Sequence, residues 1–89
     1  MSEPGTINEH TIACKKLARA ALVKSGTNAK TVADAIGKDT STLSRYLSSA
    51  HEHEMPLTSV LIFEALTEDR SVLAYIAREL GMELREIAS

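Results

Sequence analysis

The stretch that decides the fold is residues 31–47, TVADAIGKDTSTLSRYL. Small or apolar residues recur at helical spacing on either side of Gly37, and they are Val32, Ala33, Ile36, Leu43, Tyr46 and Leu47. Gly37 permits a turn conformation that is costly for other residues, and Asp39 or Thr40 can cap the helix that follows. The pattern predicts two short helices joined by a tight turn, a helix-turn-helix. In such a unit the second helix enters the major groove of DNA.

The flanking sequence predicts further helices and contains no alternating strand pattern. We expect helices over about residues 7 or 8 to 25, 29–36, 40–48 and 56–66, with Pro56 in the first turn of the fourth, where its missing N–H costs nothing. A fifth helix should open at Glu68 and Asp69. Its predicted apolar stripe is Leu73, Ile76, Ala77 and Leu80.

Length and composition limit the classes of protein. Eighty-nine residues allow one domain with a modest core. We expect a disordered segment over 1–6, a single domain over 7–81 and a tail over 82–89. No apolar run is long enough for a membrane span, and the polar start MSEPGTINEH does not resemble a leader. Cys14 is the only cysteine, which fits a reducing cytoplasm.

The net charge of −2 at pH 7 hides a polarisation along the chain. Residues 15–49 carry seven lysines and arginines against two aspartates, a net charge of +5. Residues 50–89 carry three arginines against eight acidic residues, a net charge of −5, and Glu3 and Glu9 account for the remaining −2. The basic segment coincides with the predicted helix-turn-helix, as expected where a protein meets phosphates. Chance scatter of charge between short segments is the alternative.

The outer face of the predicted helix 40–48 carries short hydrogen-bonding side chains and one cation. The residues expected to contact base edges are Thr40, Ser41, Thr42, Ser44 and Arg45. Arg45 has the geometry to donate two hydrogen bonds to guanine. Phosphate contacts are expected from Lys15, Lys16, Lys30, Thr31 and Lys38. Because the cations are few, one copy should bind DNA weakly, and specific binding then requires two or more copies.

The predicted fourth helix is apolar on more than one side. Its candidate contact residues for a second copy of the chain are Leu57, Val60, Leu61, Ile62, Phe63 and Leu66. A small domain offers little to cover so many apolar side chains, which favours a dimer or tetramer. The alternative is a central helix wrapped by the first and fifth helices.

The same motif carries a resemblance to a known family. A small-residue helix, TVADAIG over 31–37, is followed by Asp39, Ser41 and LSRY over 43–46. In these residues the chain resembles the bacteriophage lambda CII family of transcriptional activators. The similarity continues through Met55 and Pro56 to the segments 61–66 and 74–80.

That resemblance implies a small regulator that tetramerises, binds direct repeats near a promoter and activates transcription with RNA polymerase. We therefore expect an all-α, compact four- to five-helix domain with a helix-turn-helix of the lambda-repressor-like DNA-binding type. Its partners would be double-stranded DNA, further copies of itself and RNA polymerase, in the bacterial cytoplasm and associated with the nucleoid.

Other functions have weaker support in the sequence. A repressor or an antitoxin could use the same motif, and a protein-interaction module could keep the fold without binding DNA. We expect no enzymatic activity, since no nucleophile with a paired base is identifiable. The spacing of His51 and His53 does not suit metal ligands on one helix face. We expect no metal, cofactor, small-molecule ligand or membrane contact.

Overall fold

Five α-helices make up most of the computed structural model, which describes residues 9–85 and 87. They are α1 (Glu9–Ser25), α2 (Ala29–Ile36), α3 (Thr40–Leu47), α4 (Leu57–Thr67) and α5 (Ser71–Glu79). No strand occurs in this described part of the chain, so the all-α prediction is confirmed. The predicted disordered segment 1–6 lies outside the described residues. Residues 82–85 and 87 of the predicted tail are exposed and not helical.

Local chemistry accounts for both ends of α2. The side chain of Asn28 accepts a hydrogen bond from the backbone N–H of Lys30 at 2.7 Å, which caps the helix start. At the other end Gly37 has φ 73°, a left-handed conformation. The N–H groups of Gly37 and Lys38 then donate to the carbonyls of Asp34 (3.2 Å) and Ala33 (2.9 Å). This Schellman arrangement ends α2 and starts the turn toward α3.

The core lies where α2, α3, α1 and α4 meet. α1 contacts α3, α4 and α5, and α2 contacts α3 and α4. The buried apolar residues are Ala18, Ala21, Val32, Ala33, Ile36, Leu43, Tyr46, Leu47, Phe63 and Val72. Both helices of the 31–47 motif therefore bury the residues that the sequence pattern selected. No helix among the described residues is both long and apolar enough to cross a membrane.

The junction between α4 and α5 differs from its predicted form. Pro56 is the N-cap of α4 with extended backbone, and not a residue of its first turn. Glu68 adopts a left-handed conformation (φ 53°) that ends α4, so it does not open α5. Asp69 precedes α5 and accepts a hydrogen bond from the N–H of Ser71 at 2.8 Å. Glu68 and Asp69 therefore both belong to the turn between α4 and α5, and α5 starts at Ser71.

The buried side of α5 also differs from the predicted stripe. Val72 is the residue of α5 that is fully buried, whereas Leu80 is 70% exposed and Ile76 is also exposed. The hydroxyl of Tyr75 lies 2.6 Å from Nδ1 of His10, which adds a polar contact between α5 and α1. α5 packs against α1 with Val72 buried, and Leu73 and Ala77 of the predicted stripe are half-buried.

A carboxylate is buried at the junction of α4 and α5. Glu64 is 1% exposed, and its Oε2 accepts a hydrogen bond from the N–H of Val72 at 3.0 Å. Its Oε1 is buried without a hydrogen-bond partner among the described residues. Burial raises the pKa of Glu64, while hydrogen bonds from the backbone of Val72 and Leu73 oppose that effect. Glu64 therefore holds the start of α5 at the cost of desolvating a carboxyl group.

We expect Glu64→Gln to raise Tm at pH 7. A raised folded-state pKa means that the stabilising contribution of this group is present below the ordinary carboxyl pKa and is lost as the pH rises through the raised value. The amide cannot ionise, so the variant escapes this loss. The Tm difference from wild type should shrink as the pH falls toward the ordinary carboxyl pKa of about 4.3.

The measurement is thermal unfolding followed by circular dichroism across that pH range. Glu68→Gln is the matched control, because Glu68 is exposed at the end of the same helix. Equal Tm profiles for Glu64→Gln and Glu68→Gln would contradict the role given to the buried carboxyl.

Candidate nucleic-acid interface

The outward side of α3 presents four polar side chains. Thr40, Ser41, Ser44 and Arg45 are all exposed, whereas Leu43, Tyr46 and Leu47 are buried on the other side. We call the four exposed residues the α3 outer face. Thr42, predicted to join them, is half-buried. The structure therefore places four of the five predicted base-contacting residues together on one accessible surface.

Asp39 fixes the start of α3 and engages Thr42. Its Oδ1 accepts a hydrogen bond from the backbone N–H of Thr42 at 2.8 Å. Backbone and side-chain hydrogen bonds from Thr42 are the main reason that the pKa of Asp39 is lowered, and the positive charge of Arg45 adds to the effect. The carboxylate at this helix N-terminus also interacts favourably with the helix dipole.

The predicted phosphate-binding residues lie at different points on the surface. Lys16, Lys30, Thr31 and Lys38 are exposed. Lys38 belongs to the turn immediately before α3, and Thr31 and Lys30 lie in the first turn of α2. Lys30 forms an exposed ion pair with Asp34 at 3.4 Å. Such a pair is weak, so it leaves the ammonium free to exchange its partner for a phosphate.

Lys15 does not fit the phosphate-binding role predicted for it. The residue is 4% exposed, and its Nζ donates to the carbonyl oxygens of Arg45 (2.8 Å), Tyr46 (3.0 Å) and His53. Burial lowers the pKa of this ammonium, while the nearby charge of Glu54 acts in the opposite direction. An ammonium has three N–H donors, and three carbonyls use them. The prediction for Lys15 is therefore wrong, because α3 and the residues after it enclose the side chain.

The six residues predicted to contact a second copy of the chain lie on two different sides of α4. Leu57, Leu61, Ile62 and Leu66 are exposed, and Leu61 has an exposed fraction of 64%. We call these four the α4 outer face. The prediction fails for Phe63, which is 1% exposed in the core, and Val60 is half-buried against that core. Phe63 is therefore not available to a second copy, and Val60 is only partly exposed.

The buried side of α4 carries polar residues. Ser59, Glu64 and Thr67 are buried there together with Phe63. The hydroxyl of Thr67 donates to the carbonyl of Phe63 at 3.0 Å, which satisfies one of these buried groups within the helix. Polar groups thus point inward while the α4 outer face exposes aliphatic side chains. This is the reverse of the distribution expected for a surface helix of a monomer.

Leu57 also borders an apolar groove of about 170 Å³ between α1, α4 and α5. Cys14, Met55, Val60 and Ile76 contribute to its lining. The hydroxyl of Thr11, another lining residue, donates to Oε1 of Glu54 at 3.0 Å.

The thiol of Cys14 does not have the pKa shift of a reactive cysteine. Burial is the main reason that its pKa is raised, whereas the pKa of a reactive cysteine is lowered.

Sequence reasoning missed the two buried charges, Lys15 and Glu64. A signal existed for Glu64, since it is the single charge within the apolar segment LTSVLIFEALT. No comparable signal existed for Lys15, because Lys16 beside it is the same residue type and is exposed. Only the position of α3 against α1 distinguishes the two lysines.

Comparison with known proteins adds no family to these observations. No protein-family model, curated protein or solved structure matches the chain. A function must therefore be inferred from the side chains that the fold exposes and from those that it buries.

We expect Asp39→Ala to lower Tm at neutral pH, because the N–H of Thr42 loses its acceptor at the start of α3. Asp39→Asn keeps a capping oxygen and should retain most of the stability. The lowered pKa of Asp39 means that its contribution is present above the ordinary carboxyl pKa and is lost as the pH falls through the folded value. Thermal unfolding at neutral and acid pH measures this, and a Tm for Asp39→Ala equal to that of wild type would contradict the capping role.

Proposed function

We propose that this protein is a sequence-specific, DNA-binding transcription regulator of the phage or prophage type that its motif resembles. It acts as an oligomeric activator that binds repeated half-sites through α3, in the bacterial cytoplasm and on the nucleoid. The observation that carries the proposal is the α3 outer face, four exposed polar residues on a helix whose opposite side is fully buried.

The size and chemistry of α3 suit a major groove. An α-helix with its side chains is about 10–12 Å across, which fits the major groove of B-DNA with its width of about 12 Å. Threonine and serine hydroxyls both donate and accept hydrogen bonds, and a guanidinium matches the two acceptors of guanine. In the α3 outer face, Thr40 and Ser41 lie at the helix start, the part that approaches base edges most closely in helix-turn-helix proteins.

Exposed lysines also support DNA binding. Lys38 lies in the turn before α3, and Lys16 and Lys30 are the other exposed lysines predicted to bind phosphates. With Lys15 buried, each chain has fewer free cations than its sequence indicates. Because the number of neutralised phosphates sets the electrostatic affinity, one copy should bind weakly, and two or more should bind together.

The α4 outer face supports assembly. Its four aliphatic residues face away from the core while Ser59, Glu64 and Thr67 occupy the buried side. Exposed apolar clusters of this kind mark surfaces that another protein covers. A second copy of this chain is the proposed occupant, giving a dimer or tetramer that presents several α3 helices to repeated half-sites. RNA polymerase is the proposed partner for activation.

The direct test is selection of bound sites from random duplexes at low salt. A shared short motif, present in two copies at a fixed spacing, is the expected result. Enrichment of no sequence would contradict the proposal and favour a protein-interaction module. A reporter downstream of the selected site then separates activation from repression, and repression would leave DNA binding intact while overturning the activator role.

We expect Arg45→Ala to weaken binding to the selected duplex by about 1–3 kcal/mol and to relax the preference at one base position. Arg78→Ala is the control, because Arg78 is an exposed arginine on α5. Fluorescence anisotropy with wild-type and point-mutated duplexes gives both quantities. Equal losses for the two variants would remove Arg45 from the interface, and an unchanged base preference in Arg45→Ala would contradict its role in reading a base.

We expect Leu61→Asp to dissociate the oligomer while the fold persists, raising the self-association Kd at least about tenfold. Val23→Asp, at an exposed valine of α1, should leave assembly unchanged. Phe63→Asp should unfold the chain, because it places a charge in the core. Sedimentation together with circular dichroism separates these outcomes, and a monomeric wild type at micromolar concentration would contradict the assembly proposal.

A further inference from the structure

One face of α1 binds two consecutive segments of the chain, the last turn of α3 and the connector that follows it. Lys15 bonds to the carbonyls of Arg45 and Tyr46 in the last turn of α3, and also to the carbonyl of His53 in the connector. One helical turn earlier, Thr11 donates to the side chain of Glu54 at 3.0 Å. Residues 48–56 form this connector, which contains no helix or strand. The end of α3 and the end of the connector are therefore attached to the same two turns of α1.

The connector leads directly into α4. His53 and Glu54 lie three or four residues before Leu57, the first residue of α4 and a member of the α4 outer face. The orientation of α3 relative to the α4 outer face is therefore set by the attachment of both ends of the connector to α1, together with the packing of α2 against α3 and α4. If α4 mediates assembly, this orientation sets the distance between the α3 helices of two subunits.

We propose that Lys15 is a positioning residue that sets the spacing of half-sites the assembled protein accepts, a role that rests on the DNA-binding function and assembly proposed above. It contacts no DNA. It fixes the last turn of α3 and the connector against α1, so that subunits joined through α4 present their α3 outer faces at one separation.

The chemistry of the contact favours a lysine. The last carbonyls of a helix lack intrahelical partners and carry partial negative charge, so a cation stabilises them. A compact ammonium with three donors can serve carbonyls from two segments at once. Burying a charge is costly, and such groups are retained in some proteins because they specify a single arrangement. Here that arrangement joins α1, α3 and the connector.

The test uses duplexes carrying two copies of the selected half-site, with the spacing changed one base pair at a time over a helical turn of about 10 base pairs. Wild type should show a sharp optimum in binding affinity. Lys15→Met should bind about tenfold more weakly at that optimum, and its dependence on spacing should flatten. A sharp optimum retained in a folded Lys15→Met protein would overturn the proposal, since a merely structural lysine does not alter spacing preference.

Salt dependence gives an independent readout with a matched control. Lys16→Met should lower the slope of log K against log salt by about one per subunit, because a phosphate contact is lost. Lys15→Met should keep the wild-type slope, because its ammonium faces carbonyls. A slope that falls for Lys15→Met as it does for Lys16→Met would overturn the proposal in favour of a phosphate contact.

Three further measurements test the proposal, and two of them, amide exchange and amine acetylation, need no DNA. If wild type binds no duplex, the DNA-binding function fails, and amide hydrogen exchange tests the Lys15 contacts alone. Compared with wild type, Lys15→Met should exchange its amides faster over 45–55 and at the same rate over α2. Equal exchange of the two proteins throughout would overturn the positioning role.

If Lys15→Met does not fold, Thr11→Val loosens the connector without a change of charge. A wild-type spacing profile in that variant would count against the proposal. In wild type, amine acetylation should modify Lys16 and spare Lys15, and equal modification would also overturn it.

Discussion

The arrangement of α1, α3 and the connector depends on one buried ammonium. The Nζ of Lys15 joins the last turn of α3 to the connector by donating to the carbonyls of Arg45, Tyr46 and His53. These carbonyls lie at and beyond the end of α3, where the regular hydrogen bonds of a helix stop, and that of Arg45 also accepts from the N–H of Ser48 at 3.4 Å. The contact fixes the end of α3 on α1, while the apolar side of α3 packs against α1 and α2 and the α3 outer face stays exposed.

A second constraint acts on α4. Its buried side is occupied by Phe63 together with Ser59, Glu64 and Thr67, and Glu64 holds the start of α5 through the N–H of Val72. Because Glu64 faces α5, the aliphatic residues of the α4 outer face lie on the opposite side of the helix and face solvent. The orientation of α4 that completes the fold of one chain therefore also exposes the surface that we propose a second chain covers.

Much of the 31–47 motif could be predicted, because its determinants are local. Gly37 ends α2 by its positive φ, and Asp39 caps α3, whatever the rest of the chain does. The apolar spacing then selects which side of α3 is buried. The roles of Glu68 and Phe63 could not be predicted this way. Glu68 is equally compatible with a helix start or a helix end, and Phe63 is equally apolar at an interface or in a core.

The sequence by itself determined the all-helical class, the bounds of α2, the start of α3 and the four residues of the α3 outer face, because hydrophobic period and capping are properties of neighbouring residues. Only the tertiary structure decided between Lys15 and Lys16, and between Phe63 and Leu61. Members of each pair are alike in residue type and close in sequence, and they differ in what lies opposite them. That depends on the packing of α1 against α3 and α4, which no local pattern specifies.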